Sequence, residues 1–151
     1  MESQGGFPKK RALKSAGLFQ KNRFYAKVNR TKDKDFNWFL LVNFTDSWVA
    51  FECEDSCPRM IQEALDKNGK WRPIEYWFKS NCSFSYHHCS IESYEYAYYK
   101  IRKYDGDFST FLRVKYKIGD KILYTLPYFG RINESQFEEP EDLNKYGLTK
   151  L

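Results

Sequence analysis

At 151 residues the chain is long enough for one domain with a real core and too short for two comfortable ones. Aromatic residues reach 19%, with 12 Tyr, 13 Phe and 4 Trp, which favours pleated, half-buried surfaces and sites where a flat ring meets a partner. A formal charge of +5, from 25 Lys and Arg against 20 Asp and Glu, admits an acidic partner without requiring one, and no apolar run reaches the roughly 18–20 residues of a bilayer span.

Residues 1–20 mix Gly, Ser, Lys and Gln and are expected as a mobile basic arm. They contain no apolar stretch of the secretory kind, so the four cysteines are expected as reduced thiols or metal ligands rather than disulfides. The run PKKR at Pro8–Arg11 suits a nuclear address. In Arg23–Arg30, Phe24, Ala26 and Val28 alternate with Tyr25, Lys27 and Asn29, which predicts a strand with one wet face. Thr31–Asp35 is a charged turn. Phe36–Phe44 predicts a second strand, with Phe36, Trp38, Leu40, Val42 and Phe44 toward the interior and Asn37, Phe39, Leu41 and Asn43 on the other face. A Thr-Asp-Ser turn leads to a third strand at Trp48–Cys53.

A helix is expected next. Asp55 or Ser56 suits an N-cap, Pro58 a first turn, and Met60, Ile61, Ala64 and Leu65 recur at helical spacing up to the stop signal Asn68–Gly69. Arg72–Asn81 fits a short helix or a strand equally well. Strand character returns in Ser93–Tyr104, followed by Asp105–Gly106 as a hairpin turn, and Asp107–Ile118 is expected to pair back. Gly119–Asp120 leads to a further strand at Lys121–Phe129, and the acidic remainder reads as a weakly helical tail.

Three strands, a helix and two more strands are the order of the OB-fold, a mainly β, five-stranded Greek-key barrel with a helix between strands 3 and 4. The corresponding division is an arm over 1–20, the barrel over 21–130 with an insertion at about 70–92 and an extra C-terminal strand, and a tail over 131–151. The segment VNFTDSWVAFECEDSCPRMI, Val42–Ile61, resembles the OB-folds of the replication protein A large subunit, above all its C-terminal DNA-binding domain. There an apolar second strand ends in a similar turn, and a W-V third strand runs into a helix start. In outline the likeness covers Arg23–Ile118, with SYEYAYYKIRKYDGDFSTFLRVKYKI standing for the long fourth strand, acidic hairpin and fifth strand. The four-cysteine zinc ribbon of that domain has no counterpart, since its place holds only TKDKD, so a specialised meiotic or telomeric relative fits as well. The resemblance implies single-stranded DNA binding in a nucleus, within a multi-subunit complex.

Stacking of bases on exposed rings and neutralisation of phosphates by Lys and Arg would carry such binding. The candidates are Arg23, Tyr25, Lys27, Phe39 and Trp48 on the early strands, Lys32 and Lys34 in the first loop, and Arg102 and Lys103 beside Tyr104–Asp107. Single-stranded DNA is the expected partner, with RNA as a variant, together with protein subunits and no membrane. The alternative is an OB-fold that joins proteins, its acidic tail and the Lys121–Phe129 strand serving as docking pieces. No cofactor or metal is expected; zinc at Cys53, Cys57, Cys82 and Cys89, near His87 and His88, is the weaker reading because the spacing matches no zinc motif. With two adjacent His and no nucleophile or phosphate-loop motif, catalysis is not expected.

Overall fold

In the computed structural model, which describes residues 23–79, 81–82, 85–143 and 148–151, the segment expected as a helix is extended. The arm over 1–20, with Pro8–Arg11, lies outside the described residues. Asp55 and Ser56 both take left-handed backbone, with φ of 50° and 64°. Two such residues reverse a chain as a two-residue hairpin turn, so they close a hairpin here and cap nothing. The turn joins β3 (Val49–Glu54) to β4 (Cys57–Pro58), and after Arg59 the chain continues as β5 (Met60–Leu65). Pro58 is tolerated because β4 is the edge of its three-stranded sheet. The helical spacing of Met60, Ile61, Ala64 and Leu65 misleads because the intervening Gln62 and Glu63 are also buried. Gln62 bonds to Glu75, Arg102 and Tyr128, and Glu63 lies 2.6 Å from the Arg113 guanidinium. Covered on both faces and paired on both edges, β5 reads as a continuous run, which periodicity cannot tell from a helix. Asn68–Gly69, expected as a helix stop, lies in the turn between β5 and β6 (Trp71–Pro73), with Gly69 at φ 74°.

The remaining strands are β1 (Arg23–Asn29), β2 (Phe36–Phe44), β7 (Trp77–Phe78), β8 (Tyr86–Ile91), β9 (Glu95–Arg102), β10 (Phe108–Ile118), β11 (Lys121–Tyr124), β12 (Tyr128–Ile132) and β13 (Leu148–Thr149). Their sheets run β1-β2-β9, β4-β3-β8 and β11-β10-β5-β6, with β12 also on β10, and β13 pairs with β7. The fold is therefore mainly β, curled into a half-barrel, and no helix separates the third and fourth strands. Residues 71–91, expected as an insertion, supply β6, β7 and β8. Within the expected tail, Phe137 is buried and β13 returns to β7.

The β2/β9 ribbon turns a corner and continues as the β3/β8 ribbon, pairing Asn43 with Glu95 before the bend and Val49 with Ile91 after it. Asn43 holds the bend. Fully buried, it donates through Nδ2 to the carbonyls of Ser47 (2.7 Å), Ile91 (3.0 Å) and Glu92 (3.1 Å). Its Oδ1 accepts from the Thr45 hydroxyl at 2.7 Å. The second corner is made by the β4–β5 strand, which leaves β3 and crosses to β10, where the Lys117 amide donates to the Arg59 carbonyl. Asp105–Gly106 closes no hairpin, because β9 pairs with β2 while β10 pairs with β5, β11 and β12. It is a crossing between sheets, and Gly106 passes so close that a Cβ there would sit 2.2 Å from the Ile132 carbonyl carbon.

Strand β2 faces opposite to expectation. Phe39, Leu41 and Asn43 point into the main core, where Phe39 packs edge-on to Tyr116 at 5.4 Å. The two asparagines suggest a wet face, yet both are buried, and Asn37 accepts from the Thr31 amide. Truncating Asn43 would leave the buried Ile91 carbonyl and the part-buried Ser47 and Glu92 carbonyls without this donor, at a cost of about 3 kcal/mol. Asn43→Ala is expected to lower the urea midpoint accordingly without changing the slope, as read by far-ultraviolet circular dichroism.

Candidate functional site

The outer face of β1-β2-β9 follows from the register. Tyr25 lies opposite Val42 and Val42 opposite Tyr96; Lys27 lies opposite Leu40 and Leu40 opposite Tyr98; Asn29 lies opposite Trp38 and Trp38 opposite Lys100. Arg23 beside Phe44 and Arg102 beside Phe36 close the two ends. Leu40 and Val42 are buried beneath a collar formed by Tyr25, Trp38, Phe44, Tyr96 and Tyr98. Burial pushes the Tyr25 phenol above its usual value.

The rings form a ladder. Phe36 meets Trp38 edge-on at 4.9 Å, Trp38 meets Tyr98 edge-on at 5.0 Å, and Tyr98 is tilted on Tyr96 at 6.2 Å. The Lys100 ammonium lies 4.6 Å from the centre of the Phe36 ring, a cation–π contact. Each ring of the ladder is half-buried, so one side packs on the sheet and the rest is open. No carboxylate belongs to this face of the three strands, since Glu95 is buried on the opposite side. Rings with interleaved Lys and Arg and no acids suit a polyanion that carries flat bases.

Arg23, Tyr25 and Lys27 sit on this face as expected, with Arg102 at its end. Phe39 does not: it is fully buried and offers no surface for stacking, so it leaves the candidate set. Trp48 is 63% exposed at the Thr45–Trp48 corner, off the ladder. Lys32 and Lys34 are exposed in the loop between β1 and β2. Lys103 is engaged structurally, its Nζ donating to the carbonyls of Thr31 (3.0 Å) and Asp33 (2.7 Å) and so fixing that loop. The sequence reading missed Trp38, Tyr96, Tyr98 and Lys100. Their signal was the alternation of Tyr96, Tyr98, Lys100 and Arg102 along one strand, legible once β2 is turned the right way round.

The cysteines correct a second expectation. Cys53 and Cys89 are joined as a disulfide between β3 and β8, where reduced thiols were expected. Cys57 is buried, its thiol pushed up to about 12 by that burial and by nearby Asp55, and Cys82 lies exposed between β7 and β8. The four therefore do not converge on a zinc ion, and among the described residues no three His, Cys, Asp or Glu side chains gather as a metal site. No family model, curated protein or solved structure shows significant similarity to the chain.

Beside Arg102 lies a buried polar network. The Glu75 carboxyl accepts from the Gln62 amide (2.9 Å), Gln62 Nε2 (2.7 Å) and the Tyr104 hydroxyl (2.7 Å), and Tyr128 donates to Gln62 Oε1. Although Glu75 as a residue is half-buried, its carboxyl end is enclosed. Burial raises its pKa, and the three donors and Arg102 offset only part of that rise. A folded-state pKa above the ordinary 4.5 makes its contribution to stability complete below that pH, and the contribution is lost as pH rises through the higher folded value. Urea denaturation in a pH series is therefore expected to show a flatter decline above 4.5 for Glu75→Gln than for the parent.

Proposed function

We propose that the chain binds single-stranded nucleic acid, DNA in preference to RNA, across the outer face of β1-β2-β9. The observation that carries this reading is the ladder of Phe36, Trp38, Tyr98 and Tyr96 edged by Arg23, Lys27, Lys100 and Arg102 with no acid among them. Bases would stack on the open rings while the cations track the phosphates, which gives affinity with little sequence preference. The reading treats the curled sheet as an OB-type barrel without the inter-strand helix. It places the protein in a replication, recombination or telomere complex by resemblance, and it assigns binding rather than catalysis.

A second reading, an OB-type module that joins proteins, is favoured by the outer face of the other sheet. There Phe111 and Phe129 are each 50% exposed and meet edge-on at 6.0 Å, and Leu126 is 84% exposed. Polar water-facing strands do not need such groups, whereas partner surfaces do.

Fluorescence anisotropy with a labelled dT oligomer separates the two. Trp38→Ala and Tyr98→Ala are each expected to weaken binding by about 1–3 kcal/mol. Lys100→Ala should reduce the slope of log affinity against log salt by about 0.7. Absence of binding at low salt would remove the nucleic-acid reading and leave the Phe111–Phe129 face as the functional surface.

The compartment is proposed as nuclear on the Pro8–Arg11 run, but the Cys53–Cys89 bridge belongs with oxidising surroundings. Alkylation of the protein in fresh cell extract, followed by peptide mass spectrometry, decides. Protection of Cys53 and Cys89 places it in an oxidising compartment, and labelling of both keeps the nuclear proposal.

A further inference from the structure

The loop between β1 and β2, the end of β9 and strand β12 border a cleft of about 350 Å³. Small-ligand sites span about 300–1,000 Å³, so this one is sized for a monomer rather than a polymer. Its rim carries Arg30, Lys34, Arg102, Lys103 and Arg131 against a single carboxylate, Asp105. Asp105 is taken up by Arg131 at 3.4 Å, and Lys103 by the loop carbonyls. Arg30 and Lys34 have no ion-pair partner among the described residues, and Arg102 lies over the Tyr104 ring with the Glu75 carboxyl in electrostatic reach.

The interior has a different character. Leu112 and Tyr128 line it from the inner face of the sheet and Phe129 borders it from the outer face, while Asn37 and Gln62 supply polar groups at the floor. Gln62 is already fixed by Tyr128 and by its own bonds to Glu75 and the Arg102 carbonyl, so the floor needs no rearrangement to receive a ligand. The Glu75 carboxyl lies behind this floor, accepting from the Gln62 amide and side chain. Trp38, Tyr96 and Tyr98 do not line the cleft, which shares only Arg102 with the strand-binding face.

We propose that this cleft binds a phosphate monoester with a flat ring body, a mononucleotide by chemical class. Its phosphate would lie among Arg30, Lys34 and Arg102 and its ring against Tyr128. Planar guanidinium groups match phosphate oxygens two at a time, and the apolar walls discriminate a nucleotide from inorganic phosphate. The same chemistry is presented by a free mononucleotide and by the phosphorylated end of a strand.

Isothermal titration of the full chain at low salt, using uridine monophosphate, uridine and sodium phosphate, tests it. Uridine monophosphate is expected to bind at least about tenfold tighter than either fragment, because only it uses both halves of the cleft. The doubly reversed Arg30→Glu/Lys34→Glu protein should lose that binding, whereas Trp38→Ala should retain it. Both reversed residues are exposed, so the fold is expected to survive, which circular dichroism confirms. A second arm compares dT oligomers with and without a terminal phosphate. A gain from the phosphate in the parent, lost in the double variant, assigns the strand end; no gain, with uridine monophosphate still bound, assigns the free mononucleotide. No heat from uridine monophosphate at millimolar concentration, equal binding of uridine, or undiminished binding by the double variant overturns the proposal. The unphosphorylated oligomer reports on the aromatic face alone, so either reading can fail without the other.

Discussion

The bend at Asn43 is the constraint on which the rest of the structure depends. One side-chain amide bonds three main-chain carbonyls from two chain segments that lie 48 and 49 residues apart from it or close beside it in sequence. Without such a bend the β2/β9 ribbon would continue straight, β3 and β8 would not fold over the core, and the inner faces of the two sheets would not meet. Ser93 adds a bond to the Thr45 carbonyl, and Tyr94, itself at φ 60°, reaches Asp46. Sheet corners expose main-chain groups that strands normally satisfy, and a buried amide with both donor and acceptor capacity is the economical remedy.

Much of the strand content was legible in the sequence. β1 shows its alternation plainly, β2 runs over the expected Phe36–Phe44, and Gly119–Asp120 separates β10 from β11 as expected. The misreadings share one cause, which is that polarity stood in for exposure. Asn37, Asn43, Gln62 and Glu63 are all polar and all buried; Asn37 is met by Thr31 across the adjoining loop, and the other three by partners from distant segments. Partners brought in by the fold have no local sequence signature, so the pattern of β2 points to the wrong face and that of β5 to a helix. The same substitution of polarity for exposure puts Phe39 on the surface and Trp38 in the core, whereas the alternation of β1 gives the facing of Tyr25 and Lys27 that the register shows. Strand β8 was missed because YHHCSI offers polar and apolar groups in no regular order, and its place is set by pairing with β3.

The two candidate sites divide the excess positive charge between them. The aromatic face spreads its cations along a ladder of rings, which suits an extended ligand met at many weak points. The cleft concentrates its cations on one rim above apolar walls, which suits a compact ligand met once. Arg102 stands at their junction, opposite Phe36 in the sheet and on the rim of the cleft. Its carbonyl is bonded by Gln62 and its guanidinium stacks 5.5 Å from the Tyr104 ring, so its position is set by the core rather than by either ligand.

Strand β10 is paired along its second edge by β11 and β12 in succession, with Tyr124 opposite Lys115 and Tyr128 opposite Leu112. Between those pairs the outer side carries one more residue than β10. Thr125 takes up the slack, its hydroxyl accepting from the Val114 amide at 3.0 Å in place of a carbonyl. The edge this leaves to water is broken into runs of four and five residues, and Pro127 between them has no amide hydrogen to offer. A second chain therefore finds no continuous row of donors and acceptors to extend. For a protein that shows Phe111, Tyr124 and Phe129 to solvent on that same sheet, the interruption acts as a guard against fibril growth, allowing sticky side chains to be displayed without an adhesive backbone beside them.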